Sequence, residues 1–197
     1  MRVTLLFVLG ILLSQLSIAQ STYIDSIKKY QEKYVADHEV VKGKDKQAMH
    51  FFPANANYRI TARFERTEDS PWFGMKTSGT KIKAHRIYGV LHFTIHDTVM
   101  RLNIYQSEEL MKVPDYTDYL FLPFTDATSG KDSYANGRYI DLRIKDIVNN
   151  QYTIDFNKAY NPYCAYVSGK YNCPVPPAEN SLVVAILAGE MKYSQTH

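Results

Sequence analysis

The chain has 197 residues, with 23 lysines and arginines against 20 aspartates and glutamates and a formal charge of +3. Its basic residues are scattered and form no block, which argues against a nucleic-acid partner. Sixteen tyrosines accompany one tryptophan and two cysteines. Tyrosine suits half-buried strand faces and the walls of polar-ligand sites, so the bias fits a β-rich protein.

The N-terminus reads MRVTLLFVLGILLSQLSIAQ. Arg2 supplies a positive start, Leu5 to Leu13 form an apolar run broken only by Gly10, and Ser17 and Ala19 place small residues where a signal peptidase reads. This layout predicts a signal peptide over residues 1–19, cleaved near Ala19, and an exported protein, periplasmic or secreted. The apolar run is too short to span a bilayer, so the mature chain is expected to carry no transmembrane segment. The remaining chain has a single-domain length, enough for a real core.

Residues 20–47 read as an N-terminal helix and connector. Tyr23, Ile27, Tyr30 and Tyr34 recur at helical spacing over 22–38, with Ile24 and Val35 widening the stripe. Thr22 is placed to cap this helix, and Asp25 favours its dipole.

From residue 48 to 197 the period changes to two. In YRITARFE (58–65), Tyr58, Ile60, Ala62 and Phe64 share one face, and Arg59, Thr61, Arg63 and Glu65 the other. GVLHFTI and TVMRLNIY, joined at His96-Asp97, read as a hairpin. YLFLPF (119–124), RYIDLRI (138–144), QYTIDFN (151–157) and LVVAILAGE (182–190) supply further strands, separated by turn-forming stretches such as VNNQ. Seven or more short strands with one N-terminal α-helix point to a mainly β domain: an antiparallel roll, barrel or sandwich.

Cys164 and Cys173 are the two cysteines, eight residues apart in a stretch rich in proline, asparagine and tyrosine. In an exported protein a disulfide is the compartment-based expectation, ahead of two free packed thiols. Zinc would need further ligands, and C-x8-C is not a zinc-ribbon spacing. A nucleophilic thiol would need a base, and no histidine lies in the motif. His92 and His96 lie along a strand, where four residues span about 13 Å, so they read as surface residues rather than a metal pair. No metal or cofactor is called for.

RYIDLRI places Tyr139, Asp141 and Arg143 on one face, and QYTIDFN places Thr153, Asp155 and Asn157 on one face. If these strands form a hairpin, pairing Leu142 with Ile154 sets Asp141 opposite Asp155, a carboxylate pair suited to acid–base chemistry. Pairing Leu142 with Phe156 sets Arg143 opposite Asp155, an ordinary cross-strand ion pair. Like charges placed directly opposite cost stability, which favours the second register.

The turn at Asp126, Thr128 and Ser129 reads as an Asx turn. It also leads into a loop that could overhang the Asp141/Asp155 face, where Tyr134 and Arg138 would complete a polar pocket. Pro162, Pro174, Pro176 and Pro177 stiffen an irregular connection. Asn157, Asn161 and Asn180 suit the task of satisfying its backbone groups, and Glu179 and Glu190 could serve likewise.

FFPANANYRITARFE (51–65), FTDATSGKDSYANGRYIDL (124–142), DFNKAYNPYCAY (155–166), CPVPPAENSL (173–182) and AGE (188–190) resemble the bacterial and archaeal family called domain of unknown function (DUF) 1684. The resemblance implies kinship and carries no assigned activity. Many relatives that look cytoplasmic carry cysteines at the positions of Cys164 and Cys173. Several have histidine where this chain has Asn161 and proline where it has Tyr163, a departure that weighs against a Cys-His site here. The residues taken together point to an exported protein that binds a small polar or anionic ligand on a β scaffold. The binding candidates are Asp126, Tyr134, Arg138, Tyr139, Arg143, Asn157, Asn161 and Glu179. A hydrolase or other acid–base enzyme using Asp141 and Asp155 is the alternative, and a structural or interaction role the second alternative.

Overall fold

In the computed structural model, which describes residues 2–194 and side chains from residue 20 onward, alternation of apolar and polar residues sets the sheet. Along β1 (Arg59–Arg66), Ala62 and Phe64 are buried, while Arg59, Thr61, Arg63 and Glu65 are not. The other strands are β2 (Phe73–Met75), β3 (Lys83–Ile95), β4 (Thr98–Ser107), β5 (Tyr119–Phe124), β6 (Arg138–Arg143) and β7 (Gln151–Asp155). All strand pairings are antiparallel, in the order β6-β5-β4-β3-β1-β7, with β2 on β3. The result is a mostly antiparallel half-barrel with one main helix. The β3–β4 hairpin forms as the sequence implies. Ile95 pairs with Thr98 across His96 and Asp97, both at positive φ, the left-handed geometry that matches strand twist.

The sheet is apolar on both faces. Leu102, Leu122, Ile140, Leu142, Ile154 and Phe156 belong to the main core on one face. Tyr105, Phe121 and Tyr139, of opposite parity in β4, β5 and β6, form a smaller cluster with Met75 of β2. The sheet curls until the chain leaving β7 reaches the free edge of β6. There Tyr139 and Tyr160 exchange both backbone hydrogen bonds, at 2.9 and 3.0 Å.

Helix α1 runs Arg2–Asp37, so Thr22 lies inside it rather than capping it. The signal-peptide reading falls on residues 1–19, whose side chains lie outside the described residues. Among the described residues no helix is long and apolar enough to cross a membrane. Ile27 is fully buried, and Tyr34 and Val35 pack on a third cluster built from Val41, Met49, Tyr166 and Tyr193. Tyr23 donates to Asp155 at 2.8 Å, and Gln31 donates to the Asn157 carbonyl at 3.5 Å.

Two further expectations are corrected. β6 and β7 do not form a hairpin: β6 pairs with β5 and β7 with β1, so Asp141 lies opposite Phe121 and Asp155 opposite Arg59. Neither expected register exists. VNNQ does make a tight turn, with Asn149 and Asn150 at positive φ, but pairing stops after the single Val148–Gln151 bridge. The 3₁₀ turn Ile144–Asp146 has already turned the chain away from β6. The second correction concerns LVVAILAGE, which is not a strand. It crosses the main core as irregular chain, with Leu182, Ile186 and Ala188 buried. Three of its carbonyls find a side-chain donor instead of a neighbouring strand: the buried Arg138 guanidinium donates to the carbonyls of Ile186, Ala188 and Glu190.

Candidate functional site

Asp141 points away from the main core because its neighbours Ile140 and Leu142 occupy that face. Two phenols converge on it. Tyr119 lies two residues from Asp141's partner Phe121, a diagonal neighbour on the same face. Tyr160 arrives from the edge pairing with Tyr139. Each donates to Asp141 Oδ1 at 2.7 Å. Asp141 is exposed as a residue, yet protein atoms crowd its carboxylate, whose open side faces a cleft of about 1100 Å³. The crowding raises its pKa, opposed by the phenols of Tyr160 and Tyr119 and by the Arg143 charge.

Tyr30 and Tyr34 of α1, Tyr139 of β6, and Tyr160, Tyr163 and Tyr171 from the connection after β7 line this cleft. The start of β3 and the segment after β4 close it from the other side with Ala84, Glu108 and Glu109. Lysines stand around it at Lys33, Lys81, Lys83, Lys112 and Lys170. Two are paired with acids on their own turn of chain, Lys33 with Asp37 and Lys112 with Glu108. His38 also lines the cleft and is 5 % exposed. Its Nδ1 accepts from the Val41 amide at 2.9 Å, which leaves the proton on Nε2, where it has no partner among the described residues. Burial, with the charges of Lys46 and Lys42, lowers its pKa to about 4, so the ring is neutral.

Behind the cleft, Tyr34 connects to a buried acid. Glu190 is wholly buried and accepts from Tyr166, from the Asn161 amide at 2.8 Å and from Tyr34 at 3.4 Å. Burial lifts its pKa to about 7, against the lowering effect of those donors.

Cys164 and Cys173 form a disulfide. It staples the cleft wall, since Cys173 and Pro174 are lining residues and Thr77 bridges Pro174. Of the binding and catalytic candidates read from sequence, Tyr139 and Asp141 line the cleft. Asp155 accepts from Tyr23 and from Asn157, and Arg143 pairs with Asp118 at 2.7 Å. Asp126 and Arg138 form a fully buried ion pair at 3.4 Å, with Thr128 and the Ile186 amide also bonded to the carboxylate. Asn157 holds both backbone groups of Asn55, and Asn161 holds the Met191 carbonyl. Tyr134 is half-buried beside Asn136, and Glu179 is exposed. His92 sits 3.2 Å from Glu65, and His96 occupies the β3–β4 turn.

The sequence hides the cleft's tyrosines because they come from separate places in the chain. The high tyrosine count is the one available signal, and it names no positions.

Fold and cleft define a curled antiparallel β protein that holds a tyrosine-lined cleft between its sheet and its N-terminal helix. The chain belongs to the family described as protein of unknown function (DUF1684), whose signature matches residues 44–191. It is similar to an uncharacterized protein of Haloarcula marismortui, known from a solution NMR structure. The two are 25 % identical, with a TM-score of 0.63, over 93 % of this chain and 95 % of that one. Comparison with proteins of curated function finds no match.

Proposed function

We propose that this protein is exported and binds a small polar molecule in the cleft beneath α1. The observation that carries the reading is Asp141, a carboxylate that lines a space of about 1100 Å³. One of its oxygens is bound by two phenols, and the other has no partner among the described residues. That volume suits a small-molecule site, and mixed aromatic walls with one converging polar group are its usual lining. The acid–base alternative draws on two carboxylates facing each other. Asp155 is instead engaged by Tyr23 and Asn157, and of the two only Asp141 lines the cleft.

Export is supported by the layout of residues 1–19 and, more weakly, by the disulfide. Expression with and without these residues, followed by fractionation and N-terminal sequencing, tests it. A mature protein that keeps Met1 in the cytoplasm would refute export. For binding, a thermal-shift screen over chemically diverse small molecules should give hits that Asp141→Ala loses. The absence of any ligand-dependent shift across that library would overturn the reading.

A further inference from the structure

The hydrogen atoms around Asp141 identify what the floor of the cleft accepts. Tyr119 and Tyr160 both donate to Oδ1. Tyr139 donates to the Pro174 carbonyl, Tyr34 to Glu190 and Tyr163 to Glu39. Each of these hydroxyls therefore meets an incoming molecule as an acceptor. Asp141 Oδ2 is an acceptor too, and it is uncommitted. Among the lining tyrosines, Tyr30 and Tyr171 keep free hydroxyl hydrogens, and Tyr30 is 37 % exposed. The His38 Nε2 donor is shut away from water. The lysines carry donors, but Lys33, Lys81, Lys112 and Lys170 are exposed at the rim, and the half-buried Lys83 is not among the charges acting on Asp141.

A floor of acceptors and aromatic rings selects a group that brings both donors and positive charge. No cation among the described residues fills that role. Arg143, the nearest guanidinium on the same strand face, is engaged by Asp118 at 2.7 Å and by the Asp115 carbonyl at 2.6 Å. An unpaired carboxylate crowded by protein gains most from a cationic partner. We propose that the floor of the cleft is a binding site for the protonated primary amine of a small organic molecule, held on Asp141 Oδ2 and enclosed by Tyr30, Tyr34 and Tyr160. Lys81 and Lys170, the exposed rim lysines without an ion pair among the described residues, then receive an acidic group on the same molecule, which makes zwitterionic amines the best-matched class. This assignment rests on the cleft being a binding site, and it makes the ligand cationic at the floor where the sequence pointed to a polar or anionic one.

The test uses four probes of equal chain length, n-butylammonium, 4-aminobutanoate, butanoate and butan-1-ol, titrated into wild type and Asp141→Asn by NMR. The variant keeps an oxygen to accept from Tyr119 and Tyr160, and its spectrum reports whether the fold is intact. The two amines should bind saturably, shifting amides near Asp141, Tyr160 and Ala84. Their affinity should fall at least about tenfold in Asp141→Asn, the loss expected from removing one charge-assisted hydrogen bond. Butanoate or butan-1-ol binding as well as the amines, or amine affinity unchanged in the variant, would overturn the amine assignment and leave the cleft standing as a binding site. If none of the four binds while the broad library gives cleft-directed hits, the amine assignment alone fails. If the library also gives none, both readings fall.

Discussion

The Tyr160 hydroxyl donates to Asp141 Oδ1 at 2.7 Å across a contact that exists only because the chain leaving β7 pairs with the edge of β6. This bond and its twin from Tyr119 oppose the crowding that raises the Asp141 pKa. Tyr160→Phe removes one donor to the charged form and leaves the crowding, so the Asp141 pKa should rise further. Carbon-detected NMR titration of the side-chain carboxyl reads this directly. A pKa that falls or stays fixed would mean that the phenol does not stabilise the carboxylate.

Glu190 gives stability an uncommon pH dependence. Its pKa is raised from 4.5 to about 7, so between those values the unfolded chain has released this proton while the folded chain still holds it. Unfolding then releases the proton, and this group's contribution to stability falls as pH rises through that window. It levels off above about 7, after a loss of up to about 3 kcal/mol. Urea unfolding of wild type and Glu190→Gln at pH 4.5 and pH 8 isolates the effect. Relative to wild type, the variant should be more stable at pH 8 than at pH 4.5, and the opposite ordering would sink the idea.

Alternation along single strands is enough to place β1, the β3–β4 hairpin, β5 and the two faces of β6, including the outward position of Asp141. It cannot say which strand lies beside which, because period two fixes a face and not a partner. Alternation alone therefore sets Asp155 against Asp141 or Arg143, when its partner across the sheet is Arg59. LVVAILAGE imitates a strand for a related reason. Its apolar residues are buried as in a strand, but its hydrogen bonds go to one distant side chain, Arg138, and to scattered backbone groups rather than to one neighbouring strand. The asparagines of the proline-rich connection are legible in role. Asn180, for example, is wholly buried and holds both backbone groups of Asn103 together with the Pro123 carbonyl.

The disulfide closes a short loop whose far end forms cleft wall. Ser78 donates its amide to the Cys173 carbonyl at 2.8 Å, so the staple also fixes the segment leading into β3. Reduction, or the Cys164→Ser/Cys173→Ser variant, should cost about 2–3 kcal/mol through lost loop closure. A lower melting temperature in dithiothreitol checks the size. Hydrogen exchange should report faster opening at Tyr171 and Ser78 than at Leu122, and uniform change across the protein would argue against a local staple.

Arg138 is the position where one substitution should do most damage. Its guanidinium is wholly buried and pairs with Asp126 while donating to the carbonyls of Ile186, Ala188 and Glu190. Arg138→Met fills similar volume but strands a buried carboxylate and three carbonyls. Breaking one side of such a pair costs about 3–5 kcal/mol. Arg138→Lys should recover little, because a single ammonium lacks the planar fork that reaches carbonyls four residues apart. Asp126→Asn in the Arg138→Met background removes the stranded charge, so the double variant should be more stable than Arg138→Met alone. Urea unfolding of wild type, the two single variants and the double variant settles the cycle. Strictly additive losses would show that the ion pair is incidental and that the carbonyl contacts alone hold residues 182–190 in the core.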